Sequence, residues 1–117
     1  MVSIAEARRL AMEFPETVEA PHFEKTSFRA KKKIFMTMNE KKQFAVLKLT
    51  LEDQSVFSSS PDGSIRPVPN KWGLQGATMV DLKKVKKALF KDALQCSWEL
   101  VASKKKLPPD LKGLKSR

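Results

Sequence analysis

The stretch that decides the fold is residues 21–49, PHFEKTSFRAKKKIFMTMNEKKQFAVLKL. Three runs in it have the β-branched, aromatic and alternating apolar residues typical of strands, at 26–30, 33–38 and 44–49. Two short turns rich in lysine separate these runs, Lys31-Lys32 and Asn39-Glu40-Lys41-Lys42. Because short turns join antiparallel neighbours, the stretch predicts an antiparallel meander with basic tips.

Helices are predicted on both sides of the meander. Ser3 followed by Glu6 is a capping-box pattern, and apolar residues then recur at helical spacing until Pro15 ends the run. Thr50 followed by Asp53 indicates a short helix over residues 51–57. A long final helix is expected to start at an Asp81 cap, and its apolar face carries Leu82, Val85, Leu89, Ala93, Cys96 and Leu100.

The order of these elements predicts the fold class. Strands in meander order between two terminal helices indicate an α+β fold, with one antiparallel sheet and both terminal helices packed on one face. Residues 65–68 are expected to add a brief strand, which Pro67 and Pro69 confine to the edge because each lacks a backbone donor. In the central run, Ile34, Met36 and Met38 alternate with Phe35 and Thr37. The core is expected to include Leu10, Ile34, Met36 and Leu89.

The chain has 117 residues and a formal net charge of +10, which predicts one basic domain. We assign this domain to residues 1–105 and expect the basic segment 106–117 to be a flexible tail. A single cysteine, Cys96, cannot form an internal disulfide and suits a reducing compartment. No signal-peptide pattern is present, and no apolar run approaches the roughly 20 residues that span a bilayer. A cytoplasmic monomer without membrane contact is expected.

Positive charge is concentrated in the meander, where residues 21–48 contain eight Lys or Arg and two Glu. Basic strand turns suit the phosphates of nucleic acid, and duplex DNA is the favoured partner. The predicted contacts are Arg29, Lys31, Lys32, Lys33, Lys41, Lys42, Lys71 and Trp72. Trp72 either stacks on a base or fills the space beneath its own loop. Two alternatives stay open: the lysines are a solvated surface, or the protein is a regulatory adaptor that binds an acidic protein partner.

Three segments in a fixed order resemble a known family. They are ARRLAMEFPETVEAPHFEKTSFRAKKKIFMTM at 7–38, KLTLEDQ at 48–54 and KWGLQGATMVDL at 71–82, followed by a helix with a tryptophan. In this order they resemble the MmcQ/YjbR-like family of small bacterial proteins, over about residues 3–105. The resemblance implies a fold similar to that of CyaY, the bacterial frataxin homologue. It also implies a DNA-binding role through a double-wing arrangement of strands and loops.

No catalytic residue or cofactor is predicted. His22 is the only histidine, and without a nucleophile beside it a structural role at the entry of a strand is expected. An enzyme would require a pocket around His22 and Trp72. Cys96 falls on the apolar stripe of the last helix and is expected to be buried and unreactive. These residues favour a protein that binds and does not catalyse.

No metal site is predicted either, although the similarity to CyaY raises iron binding through acidic residues of the first helix and its surroundings. The carboxylates in question are Glu6, Glu13, Glu16 and Glu19. Hard cations need converging carboxylates with little opposing charge, and Arg8 and Arg9 lie among these residues. We therefore expect the CyaY-like fold without its metal function.

Overall fold

The computed structural model describes residues 1–22 and 25–102, with the backbone alone at residue 22. Within these ranges the helices are α1 (Ile4–Met12), α2 (Leu51–Ser58) and α3 (Lys87–Ala102), and a short 3₁₀ turn spans Gly73–Gln75. The strands are β1 (Thr17–His22), β2 (Lys25–Ala30), β3 (Lys33–Asn39), β4 (Phe44–Lys48), β5 (Ile65–Pro67) and β6 (Ala77–Asp81).

The strands form one antiparallel sheet in the order β1-β2-β3-β4-β6-β5. Helices α1 and α3 pack on the same face, where Phe14 after α1 stacks on Trp98 of α3 with ring centroids 5.3 Å apart. The predicted α+β fold, with an antiparallel sheet and both terminal helices on one face, is confirmed. Strand β5 pairs with β6 at the edge of the sheet, which accommodates Pro67 as expected.

The cross-strand register shows which side chains form the core. Phe28 pairs with Met36, and Met36 pairs with Leu47 on the next strand. All three are fully buried under the helices, together with Phe90 and Leu94 of α3. Burying a side chain of this size stabilises the fold by about 1.5–3 kcal/mol, so this layer is the main apolar contribution to stability.

A β-bulge in β3 changes which residues face this core. The register passes from Phe28–Met36 to Arg29–Ile34, so Phe35 is an extra residue without a partner on β2. Phe35 and Met36 are therefore both fully buried although they are adjacent in sequence. Strict alternation, which placed Phe35 opposite to Ile34 and Met36, is wrong here. Ile34 was expected in the core and is only half-buried, because it faces away from the helices.

Ser97 of α3 bridges the backbone next to this bulge. Its hydroxyl donates to the carbonyl oxygen of Phe35 and accepts from the backbone N–H of Lys48 at 3.1 Å. The ladder between β3 and β4 ends at Met36–Leu47, so the serine satisfies two backbone groups beyond that end. As a result, α3 fixes the position of the last residue of β4.

The predicted helix caps form. Ser3 Oγ accepts from the Glu6 N–H at 3.0 Å while the Glu6 carboxylate accepts from the Ser3 N–H, which completes the capping box. Thr50 Oγ1 accepts from the Asp53 N–H at 3.0 Å at the start of α2. Local sequence patterns of this kind depend only on neighbouring residues, and they predict these two helix starts correctly.

The final helix begins later than predicted. Asp81 ends β6, and its carboxylate accepts from the Lys83 N–H at 3.0 Å in a turn that precedes α3. The buried stripe of the helix is accordingly Phe90, Ala93, Leu94, Ser97, Val101 and Ala102. Leu89, expected in the core, is half-buried, and Leu100 is exposed. The prediction counted the helical period from Asp81. A turn separates Asp81 from the start of α3 at Lys87, so the buried face of the helix falls on other residues.

Strand β1 was not predicted. Its residues Thr17–His22 alternate weakly in polarity and include Pro21, so their pairing with β2 depends on the neighbouring strand. The predicted domain end at residue 105, the tail 106–117 and the side chain of His22 lie outside the described residues. No helix in the described ranges is long and apolar enough to cross a membrane.

Candidate nucleic-acid interface

We call the face of the sheet opposite α1 and α3 the open face. Ser27, Thr37, Val46, Met79 and Arg66 pair in a row across this face, from β2 to the edge strand. Side chains two residues apart on a strand share a face. The same face therefore carries the cations Lys25, Arg29, Lys48 and Arg66.

A groove of about 580 Å³ runs over the open face. Its floor is formed by side chains of the central strands, among them Ile34, Thr37 and Val46. One wall is the loop before β6, through Val68, Asn70, Trp72 and Gln75, and Lys25 and Lys48 also line the groove. The volume falls in the range of roughly 300–1,000 Å³ that is typical of small-molecule sites. The twelve described residues that line it include no carboxylate.

The loop that carries Trp72 is tightly fixed to its surroundings. A Cβ on Gly73 would lie 1.9 Å from the Val68 carbonyl oxygen, and one on Gly76 would lie 2.0 Å from that of Leu49. Buried Gln54 donates from its side-chain nitrogen to the carbonyl oxygens of Gly73 at 2.9 Å and Ala77 at 3.1 Å. Only glycine permits such close backbone approach, so the loop has one well-defined position.

Trp72 does not fill a space beneath its own loop. Trp72 is 58% exposed, and Gly73 and Gly76 take the buried positions of the loop instead. The backbone N–H of Trp72 donates to Asn70 Oδ1 at 2.8 Å, and its carbonyl oxygen accepts from the Gln75 and Ala77 N–H groups at 3.0 Å. The backbone is held firmly while the indole stays accessible at the groove wall.

The two basic turns of the meander lie at opposite ends of the sheet. Lys31 and Lys32 join β2 to β3, whereas Lys41 and Lys42 join β3 to β4, and the seven residues of β3 separate them by about 20 Å. The sequence left open whether these turns form one patch. The structure places them on two separate surfaces.

We call the end of the sheet at the first turn the Trp72 end. It contains Lys31, Lys32 and Lys33, and Arg29 lies next to it because Arg29 pairs with Ile34. Lys48 ends β4 here, and its partner Ala77 begins β6 directly after the loop of Lys71 and Trp72. Six of the eight predicted contact residues, Arg29, Lys31, Lys32, Lys33, Lys71 and Trp72, thus share one end. Lys48 joins them.

The turn at the Trp72 end has lysine at two positions whose backbone conformation favours glycine. Lys31 and Lys32 have φ of 52° and 71°, as in a two-residue type I′ hairpin turn. Residues other than glycine are uncommon in this region, because their Cβ crowds the backbone. Lys31 Nζ also lies 3.4 Å from a Glu16 carboxylate oxygen, an exposed pair that stabilises the turn only slightly.

This backbone conformation leads to a stability prediction. Replacing Lys32 with glycine should raise the free energy of unfolding by up to about 1 kcal/mol, because the positive φ then carries no steric cost. Lys33→Gly is the matched control, since it removes the same charge from a strand position and should lower stability by about 0.5–1 kcal/mol. Urea denaturation of both variants measures the difference. A Lys32→Gly variant less stable than the wild type would contradict the assigned turn geometry.

A family model described as YjbR matches residues 12–100 of the sequence. The chain belongs to the YjbR family. A crystal structure of Deinococcus radiodurans protein DR2400, which has a DUF419 family-model domain, is similar with a TM-score of 0.76 and 22% sequence identity. The similarity covers 97% of this chain and 88% of that chain, and it shows a shared fold. No curated protein matches the sequence.

The four carboxylates considered as iron ligands in this YjbR-family chain all lie in ion pairs. Glu19 pairs with Arg8 at 2.9 Å and Glu13 with Arg9 at 2.8 Å. Glu16 pairs with Lys31, and Glu6 pairs with Lys87 at 3.3 Å, where the hydrogen bond from Lys87 lowers the pKa of the Glu6 carboxyl. Among the described residues, His, Cys, Asp and Glu form no group of three that could hold a metal ion.

The sequence predicted that Cys96 is buried, whereas in the structure it is only half-buried on α3. Burial raises the pKa of its thiol, and the nearby carboxylates, Asp53 first among them, raise it further. The thiol therefore stays protonated at neutral pH, and a protonated thiol is a poor nucleophile. Cys96 lies on the helix side of the sheet and does not line the groove.

Proposed function

We propose that this YjbR-family protein binds DNA, mainly through the phosphates, with the cations of the Trp72 end. The observation that carries the proposal is the convergence of Arg29, the turn 31–33, Lys48 and Lys71 beside an exposed tryptophan. Lysine and arginine side chains neutralise phosphates and release counterions, which supplies most of the affinity of sequence-independent binding. The net charge of +10 adds long-range attraction to the polyanion.

In this proposal the protein acts by binding and not by catalysis. Among the described residues that line the groove there is no His, Cys, Asp or Glu, the usual groups for general acid–base work. The proposal takes the protein as a cytoplasmic monomer, in which the cations of the Trp72 end suffice to contact a duplex. Lys41 and Lys42 lie at the far end and take no part in the primary contact.

The test removes charge from the Trp72 end without disturbing its turn. A variant with Lys31→Asn, Lys32→Gly and Lys33→Gln keeps a favourable type I′ sequence and lowers the net charge by three. We expect weaker binding to duplex DNA of any sequence. The plot of log K against log salt should flatten by about 0.9 for each lost phosphate contact, up to about 2.7 in all. Fluorescence anisotropy of a labelled duplex at several salt concentrations gives both quantities.

A matched control removes the same charge elsewhere. Lys83, Lys84 and Lys86 are exposed and follow β6 at the end of the sheet opposite to Trp72, since the Leu82 N–H donates to the Gln43 carbonyl oxygen there at 3.0 Å. Changing these three lysines to glutamine should affect the salt slope less. Equal effects of the two triple variants would contradict binding at the Trp72 end. A wild type without DNA affinity would favour the acidic protein partner instead.

A further inference from the structure

We propose that the groove on the open face binds one unpaired nucleobase, which stacks on the indole of Trp72. The inference rests on the proposed function and adds to it: the bound DNA presents a base outside the double helix. A base inside a duplex is stacked on both sides, so it can reach a groove of this kind only where the strand is unpaired.

The lining of the groove fits a base with its attached phosphates. Ile34 and Val46 offer an apolar floor, on which a flat ring buries its faces. Lys25 and Lys48 lie at opposite ends of their strands and supply positive charge at both ends of the groove. The described residues of the lining include no carboxylate that would repel the phosphates on either side of the base.

Asn70 and Gln75 also line the groove, next to Trp72. Their amides present donors and acceptors to the edge of a base, as asparagine and glutamine do in many nucleic-acid complexes. Asn70 Oδ1 already accepts from the Trp72 N–H at 2.8 Å, so the amide nitrogen of Asn70 is the group available to a base. These groups position the base edge, while the indole supplies the stacking.

The fixed loop makes stacking on Trp72 favourable. An exposed tryptophan on a mobile loop would lose conformational freedom on binding, which opposes association. Here the Gly73 and Gly76 contacts and the two Gln54 hydrogen bonds hold the loop before any ligand arrives. Most of the stacking free energy is therefore available for binding.

The experiment uses the full chain and three duplexes that differ at one position. The first is fully paired, the second has one extra unpaired thymidine, and the third has an abasic nucleotide in place of that thymidine. The last two carry the same charge and differ only in the base. Stacking of one base predicts that the thymidine duplex binds about 5- to 150-fold more tightly than the abasic duplex.

Trp72→Ala should abolish this preference, Trp72→Phe should restore part of it, and neither should change the salt slope, because the phosphate contacts remain. Leu74→Ala is the matched control: Leu74 is 76% exposed in the same turn and does not line the groove, so the variant should behave as the wild type.

Equal affinity of wild type for the thymidine and abasic duplexes overturns the inference and leaves the proposed function standing. A Trp72→Ala variant that weakens binding to the fully paired duplex by the same factor also overturns it, in favour of insertion of the indole between paired bases. No binding to any of the three duplexes at low salt overturns both.

Discussion

Replacing Phe90 with alanine should lower the free energy of unfolding by about 3–5 kcal/mol. Phe90 is fully buried in α3 under the central strands, and removing its ring leaves a cavity that the surrounding side chains cannot fill. A domain of this size has a stability of about 5–15 kcal/mol, so the variant should lose a large part of it. Urea denaturation followed by circular dichroism measures the loss.

The adjacent residue provides the control. Leu89 is only half-buried, so Leu89→Ala should cost less than about 2 kcal/mol. The two variants differ by one position in the same helix, so propensity effects are small beside the difference in burial. A larger loss for Leu89→Ala than for Phe90→Ala would mean that the helix presents the other face to the sheet.

Gly76→Ala should cost about 4 kcal/mol or more, an unusually large effect for adding one methyl group. Gly76 has φ of 108°, and a Cβ there would lie 2.0 Å from the Leu49 carbonyl oxygen. Relief requires moving backbone, which would break the bonds that the Gly76 carbonyl oxygen accepts from the Leu49 N–H at 3.0 Å and Thr78 Oγ1 at 2.9 Å. Thermal unfolding measures the stability, and tryptophan emission reports the displacement of the Trp72 loop.

Gly63→Ala separates the clash from the backbone preference. Gly63 also has a positive φ, 69°, but a Cβ there would meet no atom within 4 Å. Gly63→Ala should lower the free energy of unfolding by about 1–2 kcal/mol, which is the cost of the left-handed conformation alone. Similar losses at the two glycines would show that the close approach of Gly76 to Leu49 is wrong.

The parts of the fold that depend on local chemistry were predictable from the sequence. The Ser3 and Thr50 caps, the runs of β2 to β4 and the edge position of Pro67 each follow from a few neighbouring residues. What could not be predicted depends on other elements. The bulge places Phe35 as one extra residue of β3 opposite β2, and the carbonyl oxygen of Phe35 accepts a hydrogen bond from Ser97, 62 residues away.

The candidate site shows the same division. Basic turns and a loop tryptophan are visible in the sequence as residue types, whereas the exposure of that tryptophan is seen only in the structure. Their separation into two ends follows from strand direction, which places Lys31 and Lys41 about 20 Å apart on the two ends of β3. Lys48 is not among the contacts predicted from the sequence, and its proximity to Trp72 depends on the pairing of β4 with β6. Pairing of distant segments leaves no local pattern.

The most direct test of phosphate-based DNA binding at the Trp72 end is the salt dependence of duplex binding by the wild-type protein. Fluorescence anisotropy between about 50 and 200 mM salt gives the slope of log K against log salt. Three to six phosphate contacts predict a straight line with a slope of about −3 to −5 and little difference between duplex sequences. No measurable affinity at the lowest salt concentration, or affinity that does not change with salt, would contradict the account.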